Sequence, residues 1–382
     1  MERKLASIRK IVDIQPIPDA DAIEVATVDG WKVVVKRGEF SVGDLAVYLE
    51  IDSWVPTELA PFLSKGSAPR EYNGVKGERL RTIRLRKQVS QGLLLPKTVL
   101  DGFGTHYVNA DGDVPESWIN LSGNKVELVE GYDLTDFLNI QKWEAPIPAQ
   151  LAGKAKGTFP TGLIPKTDQE RIQNCFGSIQ KRDGLFLTEK FWNEELQEVQ
   201  ERDVVLPDDF QKPTYEVTLK LDGSSMTIFR WEDVLRVCSR NLELTIDEEN
   251  SDNSFVKMSL EIGDLIPEGF AFQGELVGEG IQNNREGFKG HKFFVFDIFD
   301  IQKHEYLNPV DRRKLCETVG LEHVPVLGTD WNAPESVAAG LEMAEGPSIN
   351  HKVREGLVWK CNEDQSFSFK TISNKFLLKN EN

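Results

Sequence analysis

Cysteine is scarce in this sequence, and its few cysteines form no pattern. The chain has four, at Cys175, Cys238, Cys316 and Cys361, with no Cys-x-x-Cys pair and no histidine at ligand spacing. Disulfide frameworks and structural zinc sites need paired or closely spaced cysteines, so the sequence indicates neither. We expect all four to be reduced and to lie in the core.

The sequence also lacks a long apolar run. No stretch approaches the ~20 apolar residues that a membrane-spanning helix needs. The first five residues, Met1 to Leu5, include charged side chains and do not form the apolar core of a signal peptide. These absences predict a soluble cytoplasmic protein with no membrane partner.

Positive charge is in deficit. The chain has 45 Lys and Arg against 62 Asp and Glu, a formal net charge of -17 at pH 7. Lys and Arg supply most of the affinity in unspecific nucleic-acid binding, so the sequence excludes a broad, unspecific binder of this kind. An enzyme that acts on nucleic acid would need local basic patches and metal ions.

The length of 382 residues allows two or three domains. Short strand patterns separated by turns occur near the start, at residues 11–14, 23–28, 31–35 and 45–49, and predict a small antiparallel barrel or sandwich. The composition shifts near residues 140–155, where a proline-broken connector lies. We therefore predict a barrel domain over 1–100, a connecting segment over 101–150 and a second domain over 151–382, in which 185–200 has a helical pattern.

A local basic stripe lies at the end of the predicted barrel. It contains Arg79, Arg81, Arg84, Arg86 and Lys87. The first two arginines and the next two differ in strand parity, so a bulge would be needed to align them on one face. The stripe is either a phosphate-binding surface for RNA or a solvated strand face with no ligand.

One stretch of the second domain, residues 215–225, carries the strongest chemical signal. Apolar and polar residues alternate up to Lys220, as in a half-buried strand, and the Asp222-Gly223 turn ends it. A lysine at the end of a strand, beside an acid and a glycine, is a candidate covalent nucleophile. The alternative is a surface lysine before a hairpin turn.

Further blocks follow this stretch in a fixed order. They are Ser239-Arg240-Asn241, Gly274-Glu275-Leu276, and residues 294–298, 355–360 and 368–370. Together with Lys220-x-Asp222-Gly223 they resemble the motifs of the covalent nucleotidyltransferases, the polynucleotide ligases and messenger RNA capping enzymes. The resemblance and the strand patterns predict an α+β fold, in which an OB-type β-barrel precedes a nucleotidyltransferase domain of antiparallel sheets flanked by helices.

The resemblance also implies roles for individual residues. Lys220 would attack the α-phosphate of a nucleoside triphosphate, and Lys370 would contact that phosphate. The other nucleotide contacts implied are Arg240, Glu275, Phe296, Phe294 and Glu216, and the ligands of Mg²⁺ or Mn²⁺ are Glu355, Asp222 and Glu275. The family's last motif usually has two lysines one residue apart, whereas Ser368 and Ile372 flank Lys370 here. The role of Lys375 stays open, as does that of residues 166–174.

The order of the domains indicates which members of this superfamily the chain resembles most. DNA ligases and capping enzymes place an OB domain after the last motif, but only 12 residues follow Lys370. The predicted barrel comes first, as in the ATP-dependent RNA ligases with an N-terminal OB domain. We therefore expect a monomer that uses ATP to join RNA 3′-hydroxyl and 5′-phosphate ends or nicked duplexes. The alternatives are a DNA-joining ligase and an RNA-binding protein with a degenerate ligase domain.

Overall fold

The structure is a computed structural model that describes residues 4–64, 66–108, 114–144, 154–193 and 198–380. The chain divides into two compact units. The N-terminal unit comprises Met1–Ala145 with Leu377–Asn382, and the C-terminal unit comprises Pro146–Phe376. In the part of the chain that the structure describes, no helix is both long enough and apolar enough to cross a membrane.

The N-terminal unit is built of antiparallel strands. Its strands are β1 (Ala6–Pro16), β2 (Ile23–Val28), β3 (Trp31–Lys36), β4 (Leu45–Leu49), β5 (Ser53–Pro56), β6 (Arg70–Tyr72), β7 (Val75–Arg79), β8 (Ile83–Leu85), β9 (Gln88–Ser90), β10 (Leu93–Pro96), β11 (Thr105–Tyr107), β12 (Ser117–Ile119), β13 (Lys125–Glu127) and β14 (Gln141–Lys142), with 3₁₀ helices at Pro61–Ser64 and Lys97–Gly102. The main sheet has the order β10-β4-β1-β2-β3. Alternation of buried and exposed residues along β3 shows why this segment forms a strand with one face in the core.

Residues from the predicted connecting segment contribute to the core of the N-terminal unit. Strands β11, β12 and β13 form their own sheet. Trp118, Val126 and Leu134 are buried in one apolar cluster with Ile8 and Leu49 of the main sheet. These buried residues of the predicted connecting segment thus belong to the same core as the main sheet. Turn-rich composition suggested a connector because it cannot show such distant contacts.

The C-terminal unit contains two large sheets with helices packed against them. Its strands are β15 (Ala155–Thr158), β16 (Glu170–Arg171), β17 (Thr188–Asn193), β18 (Glu198–Asp203), β19 (Tyr215–Lys220), β20 (Ser224–Trp231), β21 (Val234–Ser239), β22 (Leu242–Leu244), β23 (Phe270–Gly278), β24 (His291–Asp300), β25 (Glu305–Tyr306), β26 (Val326–Trp331), β27 (Gly356–Cys361) and β28 (Ser368–Ile372). Its helices are α1 (Ile172–Arg182), α2 (Ser254–Ile262), α3 (Pro309–Val319) and α4 (Val337–Met343), with 3₁₀ helices at Glu248–Asn250 and Gly263–Leu265, and α5 (Asn374–Asn380) continues into the last residues of the chain.

One sheet has the order β15-β22-β21-β20-β23-β24-β25 and the other β16-β28-β27-β19-β26. All these pairings are antiparallel except that of β16 with β28. The predicted α+β class with antiparallel sheets is confirmed. The predicted helix over 185–200 is wrong, because β17 and β18 pair there as an antiparallel hairpin.

The chain passes from one large sheet to the other directly after Lys220. Strand β19 lies between β27 and β26 in the five-stranded sheet, and β20 lies between β21 and β23 in the seven-stranded sheet. Gly223 stands at the crossing, where an added Cβ would lie 2.4 Å from the carbonyl oxygen of Leu276. The turn that ends β19 therefore needs glycine, and it fixes Lys220 where the two sheets meet.

Candidate active site

Lys220 lies at the end of β19, on the polar face of that strand. Side chains of a strand alternate between its two faces, so Glu216 and Thr218 share the face of Lys220. The Lys220 Nζ atom is 2.7 Å from Oε1 of Glu355, and the lysine side chain is 24% exposed. Lys220 is paired with Gly356 in the β19–β27 register, which brings Glu355 beside the amine.

Two further carboxylates surround the amine. Glu275 on β23 accepts a hydrogen bond from the backbone N–H of Gly223 at 3.1 Å. Burial raises the pKa of the Glu275 carboxyl to about 8; the charge of Lys220 opposes this shift, and Glu355 and Asp222 add to it. Burial, followed by repulsion from Glu355, raises the pKa of Asp222 to about 6. The site therefore concentrates negative charge that the protein itself does not fully neutralise.

The same carboxylates favour the charged form of the Lys220 amine. Burial by itself lowers the pKa of the Lys220 amine, but Glu355, Glu275 and Asp222 raise it, and the net shift is upward. Positive charge bound beside these carboxylates would weaken their effect and lower the pKa of the amine.

The donor set fits a hard divalent cation that is partly hydrated. Among the described residues, no three acidic, histidine or cysteine side chains are arranged to enclose a metal ion. Mg²⁺ usually keeps several waters and binds through one or two carboxylates together with substrate phosphates. Glu355, Asp222 and Glu275 could provide such a partial set of oxygen ligands.

Lys370 lies on the same face of the sheet as Lys220. On β28 it is paired with Val358 of β27, and Val358 is paired in turn with Thr218 of β19. Of the two residues that flank Lys370 at the spacing of the related motif's lysine pair, Ser368 is paired with Lys360 and Ile372 with Gly356. Lys375 lies outside this face, on α5, 66% exposed and 3.6 Å from a Glu345 carboxylate oxygen.

A buried ionic network continues the polar face of β19 away from Lys220. The Glu216 carboxylate is fully buried and pairs with the guanidinium groups of Arg312 and Arg313. Arg312 also lies 3.4 Å from Asp297, whose Oδ1 accepts a 2.5 Å hydrogen bond from Lys360. Burial lowers the pKa of Lys360 to about 7, against the opposing effect of Asp297.

The burial of Glu216 argues against the predicted contact between its side chain and ATP. Its side chain has no exposed surface, and both arginines that pair with it come from α3. The Asn308 side chain caps this helix and Gly320 ends it, so the helix is well defined. We interpret Glu216 as a support beneath the site. Sequence reasoning missed Arg312, although the adjacent pair Arg312-Arg313 was a usable signal.

The two predicted aromatic contacts differ in burial. Phe294 is 4% exposed and packs 5.9 Å, centroid to centroid, from Phe288. Phe296 is half-buried, and the Lys360 amine lies 5.7 Å from its ring centroid. Phe296 is therefore the more accessible of the two rings, and Phe294 belongs to the core.

Arg240 lies at an exposed position beside the segment of unresolved role. Its guanidinium donates to both carboxylate oxygens of Asp168, at 2.7 and 2.9 Å. Lys166 donates to Asn241 at 3.0 Å, which ties the same segment to the same loop. The segment borders a cavity of about 130 Å³ that is also lined by Asp297, Arg312, Lys360 and Ser368. Residues 166–169 are therefore close to the buried network.

The predicted basic stripe separates into two parts. The Arg79 side chain is 17% exposed, lies 2.6 Å from Asp52, and stacks 3.8 Å from the Trp143 ring centroid. Arg81 is half-buried between β7 and β8. Arg84, Arg86 and Lys87 are exposed on the β8–β9 hairpin. The structure thus does not place the five cations on one surface.

Comparisons with known families and structures cover the whole chain. An OB-fold domain family matches residues 5–97, which confirms the predicted fold of the N-terminal part, and the RNA ligase family matches residues 213–375. No curated protein matches the chain.

Several solved structures of Naegleria gruberi RNA ligase are similar over nearly full length. A mutant with ATP and Mn is 38% identical, with 100% of each chain covered and a TM-score of 0.79. The enzyme with PPi is 39% identical, with 98% of each chain covered and a TM-score of 0.78. A mutant with AMP and Mn is also 39% identical over 98% of each chain, with a TM-score of 0.77.

Proposed function

The chain belongs to the RNA ligase family, and from this premise we propose that Lys220 is the nucleophile through which it joins RNA ends. The protein is an ATP-dependent RNA ligase that forms an AMP intermediate and uses a divalent metal. One observation carries the assignment: the Lys220 amine lies 2.7 Å from Glu355, with Asp222 and Glu275 acting on the same charge.

The first step forms a bond between Lys220 and the α-phosphorus of ATP. The ammonium ion loses a proton, the neutral amine attacks phosphorus, and the bond to the pyrophosphate oxygen breaks. Lys370 on the same sheet face stabilises charge on the α-phosphate, Arg240 binds a phosphate or the ribose, and Phe296 stacks on the base. A divalent cation would be bound by carboxylates of the set Glu355, Asp222 and Glu275 together with phosphate and water, and would supply positive charge that neutralises the triphosphate and lowers the amine pKa.

Two further transfers complete the reaction. The 5′-phosphate of one RNA end attacks the lysyl-AMP phosphorus, the phosphorus–nitrogen bond breaks, and the Lys220 amine takes up a proton. The 3′-hydroxyl of the other end then attacks the 5′-phosphate, and AMP leaves. Lys220 is thus regenerated, and each cycle converts one ATP into AMP and pyrophosphate.

Labelling with α-³²P-ATP and Mg²⁺ or Mn²⁺ tests the nucleophile. Wild-type protein will retain label after denaturation, and Lys220→Ala will retain none. Lys314→Ala is the matched control, because Lys314 is an exposed lysine on α3 and should label as wild type does. Equal label on the Lys220→Ala variant would disprove the assignment.

The form of the substrate is a separate proposal. We propose that the substrate is RNA ends or a nicked duplex in which the sugar at the 3′-hydroxyl is ribose. Nick-sealing assays that change only that sugar distinguish this from a DNA-joining ligase. Preferential sealing of a deoxyribose 3′ end would contradict it.

A monomer in a reducing cytoplasm is the remaining proposal. All four cysteines are free thiols, three of them buried, as expected where thiols stay reduced. Light scattering after size exclusion measures the mass, and a value twice that of the chain would contradict the monomer.

A further inference from the structure

The β8–β9 hairpin projects cationic and apolar side chains from a fixed base. At the base, Ser90 is 3% exposed and its Oγ accepts a hydrogen bond from the Val34 backbone N–H at 2.9 Å. The next residue, Gln91, donates its backbone N–H to the Lys32 carbonyl at 2.8 Å. The hairpin is therefore anchored at one end, whereas residues 83–87 at the other end are all exposed.

The turn of this hairpin contains residues that the turn type disfavours. Arg86 and Lys87 have φ values of 47° and 70° and form a two-residue loop between paired Leu85 and Gln88. Such loops favour Asn-Gly, because both central residues need positive φ. The chain uses that pair in the β6–β7 loop, where Asn73 and Gly74 have φ values of 47° and 79°.

In another two-residue loop of the same kind, hydrogen bonds from a side chain support the positive-φ backbone. Glu232 and Asp233 between β20 and β21 also have positive φ, at 55° and 60°. There the Glu268 carboxylate accepts both backbone N–H groups, at 2.7 and 3.2 Å. No comparable side-chain contact supports the loop of Arg86 and Lys87 within the described residues. A strained backbone without compensation is most often kept for function.

The side chains of the hairpin match one class of ligand. Arg84, Arg86 and Lys87 form no ion pair with any described residue, and the hairpin has no acidic residue, although the whole chain has a net charge of -17. Beside them Ile83 is 47% and Leu85 39% exposed. Such a surface suits a single-stranded nucleic acid, because its phosphates can pair with the cations and its sugars or bases can pack on the apolar side chains.

We propose that the β8–β9 hairpin binds the phosphate backbone of an RNA strand, with Arg86 and Lys87 on phosphates and Ile83 and Leu85 against sugar or base faces. The proposal rests on the proposed function for the identity of the polymer. It assigns the contact to the hairpin and excludes Arg79, whose guanidinium is occupied by Asp52 and Trp143.

The test replaces the turn with the pair that the turn type prefers. The double variant Arg86→Asn, Lys87→Gly removes two cations and keeps the hairpin, so its melting temperature should equal or exceed that of wild type. Binding of a fluorescein-labelled single-stranded 18-mer RNA is followed by anisotropy at several KCl concentrations. If each cation neutralises one phosphate, affinity falls about 25-fold at 0.1 M salt and about 2.6-fold at 0.5 M, from a slope of ~0.7 per phosphate.

Two further variants sharpen the comparison. Lys10→Asn, Lys36→Asn removes two exposed cations from β1 and β3 of the same unit, and should leave the affinity near wild type. Arg84→Gln lies outside the turn and should lower the affinity without any change in the loop. Equal losses in the hairpin and control double variants, or unchanged binding by the hairpin variants, would overturn the proposal.

The hairpin proposal and the proposed function fail in different experiments. If wild-type protein forms lysyl-AMP but the hairpin variants bind RNA as wild type does, the hairpin proposal fails and the nucleophile assignment stands. If wild-type protein forms no lysyl-AMP but the hairpin variants lose RNA binding, the nucleophile assignment fails and the hairpin proposal stands.

Discussion

The Glu216→Gln variant separates a supporting role from a direct contact with ATP. The substitution keeps the shape of the side chain but removes a charge that pairs with Arg312 and Arg313. Breaking a buried ion pair by removing one partner costs about 3–5 kcal/mol, because the other charge stays buried. Arg312 is 1% exposed and keeps the Asp297 carboxylate at 3.4 Å and a 3.1 Å hydrogen bond from its Nε to His323, whereas Arg313 is 30% exposed and can rehydrate.

This loss of stability can be measured as a lower melting temperature in thermal unfolding. For domains of about 150–250 residues, 1 kcal/mol shifts the melting temperature by about 2–4 °C, so the variant should melt about 6–20 °C lower. The control is Glu317→Gln, which neutralises an exposed carboxylate on α3 and should shift the melting temperature by less than about 2 °C. The KM for ATP in lysyl-AMP formation is measured below both melting temperatures. An unchanged melting temperature together with a raised KM would refute the supporting role and favour direct contact.

Three other predictions follow from the site. The carboxyl of Glu275 has a pKa of about 8 in the folded state, against an ordinary value of 4.5. The native state therefore binds more protons than the unfolded state between these values, and the free energy of unfolding falls as pH rises from about 5 to 8. In Glu275→Gln, the melting temperature should fall less over the same pH range. Lys370→Ala should slow lysyl-AMP formation about 10²–10³-fold in single-turnover labelling, whereas Lys375→Ala, which loses an exposed pair, should stay within about threefold. Gly223→Ala should lower the melting temperature measurably, because its Cβ would meet the Leu276 carbonyl.

Local sequence signals located the strand end that carries Lys220 because its geometry is local. Alternation along β19 and the Asp222-Gly223 turn place Lys220 at a strand end with no knowledge of distant residues. The requirement for glycine at 223 comes from β23, but the turn signal itself was already in the sequence. The OB fold and the antiparallel sheets were predictable for the same reason, since their strands are bounded by turns, although β23 and β24 are buried on both faces.

Features that depend on distant partners were not predictable. Glu216 shares the strand face of Lys220, and only its pairing with arginines about 96 positions later on α3 shows that it is buried. Arg79 looked like part of a basic surface, but Asp52 and Trp143 occupy its guanidinium. The β17–β18 hairpin was mistaken for a helix because short apolar runs fit both periods, and pairing between strands decides the outcome.

Under the proposed function, the charge around Lys220 couples activation of the amine to the presence of its substrate. A lysine is an ammonium ion near neutral pH even at its ordinary pKa of 10.5, and Glu355, Glu275 and Asp222 raise the pKa further. An amine attacks only in its neutral form, so attack on ATP needs the pKa of Lys220 to fall. ATP that binds with a divalent cation would bring positive charge beside the carboxylates and weaken their effect on the amine. The same carboxylates that disfavour the neutral amine would therefore bind the cation that activates it.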